Sequence, residues 1–156
     1  MKTIHIGADS AGYSYKEELK AYLTGRGYTV VDEGADHGAS GTHYPEYAMK
    51  VATAVQKDPD GTLGILICGT GIGMSMTANK YDGVRAALCG DTFSARMTRI
   101  HNDANVLCMG ARVIGPSLMI DIVESFLSAE FERGGRHELR VAMIAEAERK
   151  GNTQNS

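Results

Sequence analysis

The run Leu63-Gly64-Ile65-Leu66-Ile67-Cys68 constrains this chain more than any other segment, because it is apolar on both faces. A strand without a polar face belongs in the middle of a parallel sheet, with helices above and below it. Other short runs rich in Val, Ile and Leu alternate with segments of helical periodicity, and each junction carries Gly, Asp, Ser or Asn. Strands are expected near Thr3–Ala8, Tyr28–Glu33, Leu63–Cys68, Val84–Cys89 and Ala104–Met109. Helices are expected near Gly12–Gly25, Tyr44–Gln56, Ile72–Tyr81, Thr92–His101, Pro116–Glu132 and Arg136–Lys150. Gly27 suits a left-handed helix terminator, Pro116 a first helical residue, and Gly134-Gly135 a break before the last helix. Such alternation predicts an α/β fold with a five-stranded parallel sheet between two helical layers, since right-handed crossovers leave few other solutions.

A chain of 156 residues, 43% hydrophobic, is long enough for one domain, here residues 1–150, and too short for two well-packed ones. The last six residues, Gly-Asn-Thr-Gln-Asn-Ser, read as a polar C-terminal tail, 151–156. The net charge of −3 is mild and the Lys and Arg residues are scattered, so no nucleic acid or membrane surface is expected as partner. No apolar stretch approaches the roughly 20 residues that span a bilayer. The chain opens with Met-Lys-Thr and enters a strand without a signal-peptide pattern. The odd set Cys68, Cys89 and Cys108 suits reduced thiols, and a cytoplasmic location is expected.

In parallel α/β sheets ligands sit beyond the carboxyl ends of the strands. There the chain carries Cys68-Gly69-Thr70-Gly71-Ile72-Gly73, a thiol followed by a glycine-rich loop that feeds a helix. Glycines let backbone N–H groups converge on an anion, with the helix dipole behind them. No Lys-Ser/Thr follows, so this is not a Walker loop, and Met74 replaces the third glycine of a dinucleotide fingerprint. A free thiol titrates near 8.5, a handicap of roughly 1.4 kcal/mol one pH unit lower, which a helix amino terminus can reduce. Cys68 is therefore either a base near neutral pH or a buried strand-end residue.

His101-Asn102-Asp103-Ala104-Asn105 places an imidazole at a helix end, either as a proton relay to a sugar ring oxygen or as a cap. Arg112 follows the fifth strand, and Arg136 and Arg140 share one helical face. If they converge, these guanidinium groups hold a phosphate dianion; otherwise they flank acidic neighbours. Asp9 and Ser10 either bind sugar hydroxyls or cap the first helix. No metal-ligand spacing occurs among the histidines and cysteines, so neither metal nor cofactor is expected.

Taken with Gly7-Ala8-Asp9, Tyr44-Pro45, Ala78-Asn79-Lys80, Gly110-Ala111-Arg112-Val113 and Gly134-Gly135-Arg136-His137, these motifs resemble the type B ribose-5-phosphate isomerase family, related to the galactose-6-phosphate isomerase subunits. The resemblance covers nearly the whole chain. It implies a three-layer Rossmann-like fold, a homodimer or dimer of dimers, and active sites shared between subunits. It also implies an aldose–ketose isomerase acting on a phosphorylated sugar. Cys68 would remove the proton to give a cis-enediolate, stabilised by N–H groups of the loop Gly69, Gly71, Ile72 and Gly73. His101 would assist ring opening, Thr70 would complete the catalytic set, and Arg112, Arg136 and Arg140 would hold the phosphate. Asp9, Ser10, Tyr44 and Asn102 would line the sugar.

Two positions depart from the family: Ser10 stands where a histidine is usual, and His43 where an aspartate usually precedes Tyr-Pro. Ribose 5-phosphate is the leading substrate, with erythrulose 4-phosphate and a hexose 6-phosphate such as allose or galactose 6-phosphate behind it. Two other functions fit the residues: acyl transfer by a Cys68–His101 pair, and non-catalytic sugar-phosphate sensing.

Overall fold

The computed structural model describes residues 1–154. Its strands are β1 (Thr3–Ala8), β2 (Val30–Asp32), β3 (Thr62–Cys68), β4 (Ala86–Leu88) and β5 (Val106–Gly110). Its helices are α1 (Tyr13–Gly25), α2 (Tyr44–Lys57), α3 (Ile72–Ala78), α4 (Thr92–Asn102), α5 (Pro116–Leu127) and α6 (Arg136–Gln154). All strand pairs are parallel, in the order β2-β1-β3-β5-β4. The central strand is β3, buried at every position, as its two apolar faces predict.

Because side chains alternate across a strand, β3 feeds two cores. Ile65 and Ile67 pack with Leu19 and Leu23 of α1 and Ile122 and Phe126 of α5. Leu66 and Cys68 pack on the other face with Val51 and Val55 of α2 and Met74 of α3. The fold is therefore the expected three-layer α/β/α sandwich. Cys68 points to the α2/α3 side.

Element boundaries differ from the sequence expectation where long-range bonds intervene. Both edge strands, β2 and β4, are shorter than expected, each having a ladder on one side only. Helix α3 stops at Ala78 rather than Tyr81 because the Asn79 amide exchanges two 2.9 Å hydrogen bonds with the backbone of Ala86. Helix α5 ends at Leu127 rather than Glu132, and the following segment turns so that the Glu132 N–H donates to the Ile100 carbonyl at 3.1 Å. Conversely, α6 continues past Lys150 to Gln154, fastened where Glu148 accepts from the Gly83 N–H and Asn152 donates to Asp82. Most of the expected tail is thus helical, and Asn155 and Ser156 lie outside the described residues.

One buried charge ties α1 to β2. Lys16 is fully buried, and its ammonium donates to both oxygens of Asp32 at 2.8 Å. Burial acts to raise the Asp32 carboxyl, but hydrogen bonds from Lys16, Lys20 and the Gly34 N–H outweigh it and hold the group at about 2. A carboxyl depressed on folding contributes stability that is present above its unfolded value near 3.8 and lost as pH falls towards 2. The melting temperature should therefore drop between those pH values in the wild type. Asp32→Asn should remove much of that acid step and, by leaving Lys16 without its main partner, cost about 2 to 3 kcal/mol at pH 7. Thermal melts across the pH range check both.

Candidate active site

Cys68 ends β3 and is 5% exposed. The chain then reverses into α3 through Gly71, whose φ of +78° is one that side-chain-bearing residues avoid. This turn aims the Gly71 N–H at the Cys68 sulfur, 3.0 Å away. Such a donor strengthens when sulfur carries negative charge. The Thr70 hydroxyl accepts from the Ile72 N–H at 3.3 Å, and the Ser75 N–H bonds to the Gly71 carbonyl at 3.1 Å. The N–H groups of Gly73 and Met74, in the first turn of α3, have no acceptor within the helix.

The other two thiols are unsuited to proton transfer near neutrality. Burial pushes Cys89 up to about 11, with Asp91 adding to it, and drives fully buried Cys108 higher still.

Three elements close around Cys68. The Arg112 N–H bonds the Gly69 carbonyl at 3.0 Å, and its side chain lies over Gly69, where a Cβ would meet the guanidinium Nη1 at 3.5 Å. The Tyr44 ring covers Gly73 so closely that a Cβ there would fall 2.5 Å from it. Gly73 is therefore needed for the close approach of the Tyr44 ring, whereas at Gly69 an added Cβ would make only ordinary contact with Arg112. At the end of β1, Asp9 accepts from the N–H groups of Ala11 and Gly12 at 3.0 and 3.1 Å, which folds the turn. Neither Asp9 nor Ser10 caps α1, whose N-cap is Gly12 without a side-chain bond. The Ser10 N–H instead donates to the Thr42 hydroxyl at 2.7 Å, a contact that the sequence pattern did not signal.

His101, Asn102, Arg136 and Arg140 are elsewhere. His101 and Asn102 end α4, immediately before β5. Register pairs Gly64 with Val106 and Cys68 with Gly110, so about 13 Å of strand separates the level of Cys68 from the level where β5 begins. His101 therefore lies at the amino edge of the sheet, opposite the edge that carries Cys68. Beside it, the His137 ring stacks on the His101 ring with centroids 4.1 Å apart. Lost hydration, then His101, Arg136 and Arg140, lower the His137 value from its usual one, against Glu132. Arg136 and Arg140 are exposed on the first turns of α6. The expected convergence of Arg112 with these two arginines does not occur within one chain.

One molecule thus presents the candidate residues as two separate groups. The carboxyl edge offers a thiol, a glycine loop, Tyr44, Asp9, Ser10 and Arg112. The amino edge offers an imidazole, an amide and two guanidinium groups.

The family described as Ribose/Galactose Isomerase matches residues 4–144. The chain is 46% identical over 153 residues to ribose-5-phosphate isomerase B of Escherichia coli, covering 97% of this chain and 100% of that protein. It is 48% identical over 135 residues to D-erythrulose-4-phosphate isomerase of Pectobacterium atrosepticum, covering 86% and 88%. Among solved structures it is similar to Clostridium thermocellum ribose-5-phosphate isomerase B, with a TM-score of 0.91, 49% identity, and 96% and 99% of the two chains covered.

Proposed function

Because the chain belongs to the ribose/galactose isomerase family, we propose that it interconverts ribose 5-phosphate and ribulose 5-phosphate, with Cys68 as the base. The observation that carries the residue assignment is the strand-end thiol that receives the Gly71 N–H at the head of the glycine loop.

In this reading the Cys68 thiolate removes the C2 proton of the open-chain aldose and returns it to C1. The negative charge of the cis-enediolate falls on two oxygens, which face N–H groups of the loop Gly69, Gly71, Ile72 and Gly73. Thr70 moves the proton between those oxygens, while Asp9, Ser10 and Tyr44 line the sugar. Ring opening precedes this chemistry and needs a proton donor at the ring oxygen, the role assigned to His101. Arg112 binds the phosphate from the Cys68 side, and Arg136, Arg140 and Asn102 belong with His101.

Opposite edges of one sheet cannot serve one small substrate, so a second copy supplies the amino-edge half. The working unit is then a homodimer, or a dimer of dimers, with shared sites. The exposed apolar side chains Leu88, Phe93, Leu139, Met143 and Ile144 supply a surface for that contact. The free thiols suit a reducing cytoplasm, and no helix among the described residues is long and apolar enough to cross a membrane.

Ser10 and the similarity to D-erythrulose-4-phosphate isomerase favour a second reading, in which a four-carbon ketose phosphate is preferred. Proton NMR in D2O with EDTA, supplying ribose 5-phosphate, erythrulose 4-phosphate and allose 6-phosphate in turn, decides between them. Conversion of ribose 5-phosphate with deuterium entering beside the carbonyl supports the leading reading. Turnover of erythrulose 4-phosphate alone supports the second. Ligand binding without exchange on any sugar would overturn both in favour of a sensor.

A further inference from the structure

Between His101 and β5 the chain makes a turn built in an unusual way. Asp103 has φ of +47°, the only residue other than glycine with positive φ among those described. Aspartate tolerates this region better than most residues, but the turn still needs its surroundings to hold it. Two arginines do so. Arg85, just before β4, donates through Nη2 to an Asp103 carboxylate oxygen at 3.1 Å and through Nε to the Asp103 carbonyl at 2.8 Å. Arg99, on α4 itself, donates to the other carboxylate oxygen at 3.1 Å and to the Ala104 carbonyl at 2.6 Å.

Arg99 is only 7% exposed and its Nε has no hydrogen-bond partner. Burying a guanidinium with an unsatisfied N–H is costly. The arrangement is expensive for a plain helix stop, which glycine would provide without charge. What it does accomplish is to fix the end of α4, two residues from His101, against β4 and β5 together. Asn105 extends the same lock, accepting from the Arg85 N–H at 2.7 Å and donating to the Gly83 carbonyl at 2.8 Å. On its other side the imidazole of His101 is gripped by the His137 stack.

We propose that Asp103, clamped by Arg85 and Arg99, is a positioning residue for His101 and governs the ring-opening and ring-closing step while leaving proton transfer at Cys68 untouched. The proposal rests on the isomerase reading above and on the ring-opening role of His101 within it.

The two steps separate experimentally because ribulose 5-phosphate, with its 5-hydroxyl esterified, is an open chain. Its C1 hydrogen exchanges with solvent through the enediolate without any ring chemistry, whereas accumulation of cyclic ribose 5-phosphate includes ring closure. Two variants test the clamp: Asp103→Asn keeps the shape and the tolerance of positive φ, and Asp103→Gly keeps the backbone conformation while removing both carboxylate contacts. Ribulose 5-phosphate in D2O is followed by NMR, recording deuterium in the remaining ketose against ribose 5-phosphate formed, with His101→Asn and wild type alongside and melting temperature monitored.

The expected result is exchange within about twofold of wild type, and ribose 5-phosphate formation down roughly tenfold or more, the scale of a misplaced general acid. The exchange-to-conversion ratio then rises as it does in His101→Asn. Parallel loss of exchange and conversion in both variants would overturn the proposal and leave Asp103 a structural residue, and so would an unchanged ratio. Failure of the isomerase reading itself is seen separately, as absence of exchange in the wild type.

Discussion

Replacing Cys68 with alanine is expected to lower kcat/KM for ribose 5-phosphate about a thousandfold or more and to abolish deuterium exchange into ribulose 5-phosphate, because the proposed mechanism has this thiol carry the proton between C1 and C2. The fold should survive. Cys68 is packed among Leu66, Met74 and Cys108, and losing one sulfur atom there costs about 1 kcal/mol, comparable with removing a methylene. Neither remaining thiol can substitute: burial has moved Cys89 to about 11 and Cys108 beyond it. Activity loss with a melting temperature within a few degrees of wild type is the predicted pair of observations. A Cys68→Ala variant that still exchanges the carbon-bound hydrogen would show that another group is the base.

The carboxyl-edge part of the candidate site was legible in the sequence because its thiol and glycine loop are neighbours along the chain. A thiol at the end of an apolar run, followed at once by glycines and a helix, can be recognised without knowing where any other strand lies. The contacts of Arg112 with Gly69 and of Tyr44 with Gly73 were not legible, since each depends on which strand lies beside β3 and how α2 packs. Likewise Thr42 meets Ser10 through the loop before α2, and no local pattern announces it.

The location of His101 was legible in principle. In a parallel α/β sheet a residue after a strand lies at the carboxyl edge, and one just before a strand lies at the amino edge. Cys68 ends β3 and His101 precedes β5, so alternation alone assigns them to opposite edges. Which other element would grip the His101 ring was not available that way, because the His137 stack depends on the chain returning to the end of α4 after α5. Asp103 carried a weaker signal, an acidic residue in the stop position of a helix where glycine is usual. Its two arginine partners come from different elements and only the fold brings them together.

If Cys68 of one copy works with His101, Arg136 and Arg140 of another, two differently defective chains should complement each other. Cys68→Ala and His101→Asn chains are each expected to be nearly inactive on ribose 5-phosphate alone. Co-expressed and allowed to assort at random, half of the dimers are mixed, and each mixed dimer has one site with both residues intact and one with neither, so about a quarter of the wild-type activity should return. A mixed population no more active than its two parents, with mixed dimers demonstrably formed, would rule out a shared site and require both residues to act within a single chain.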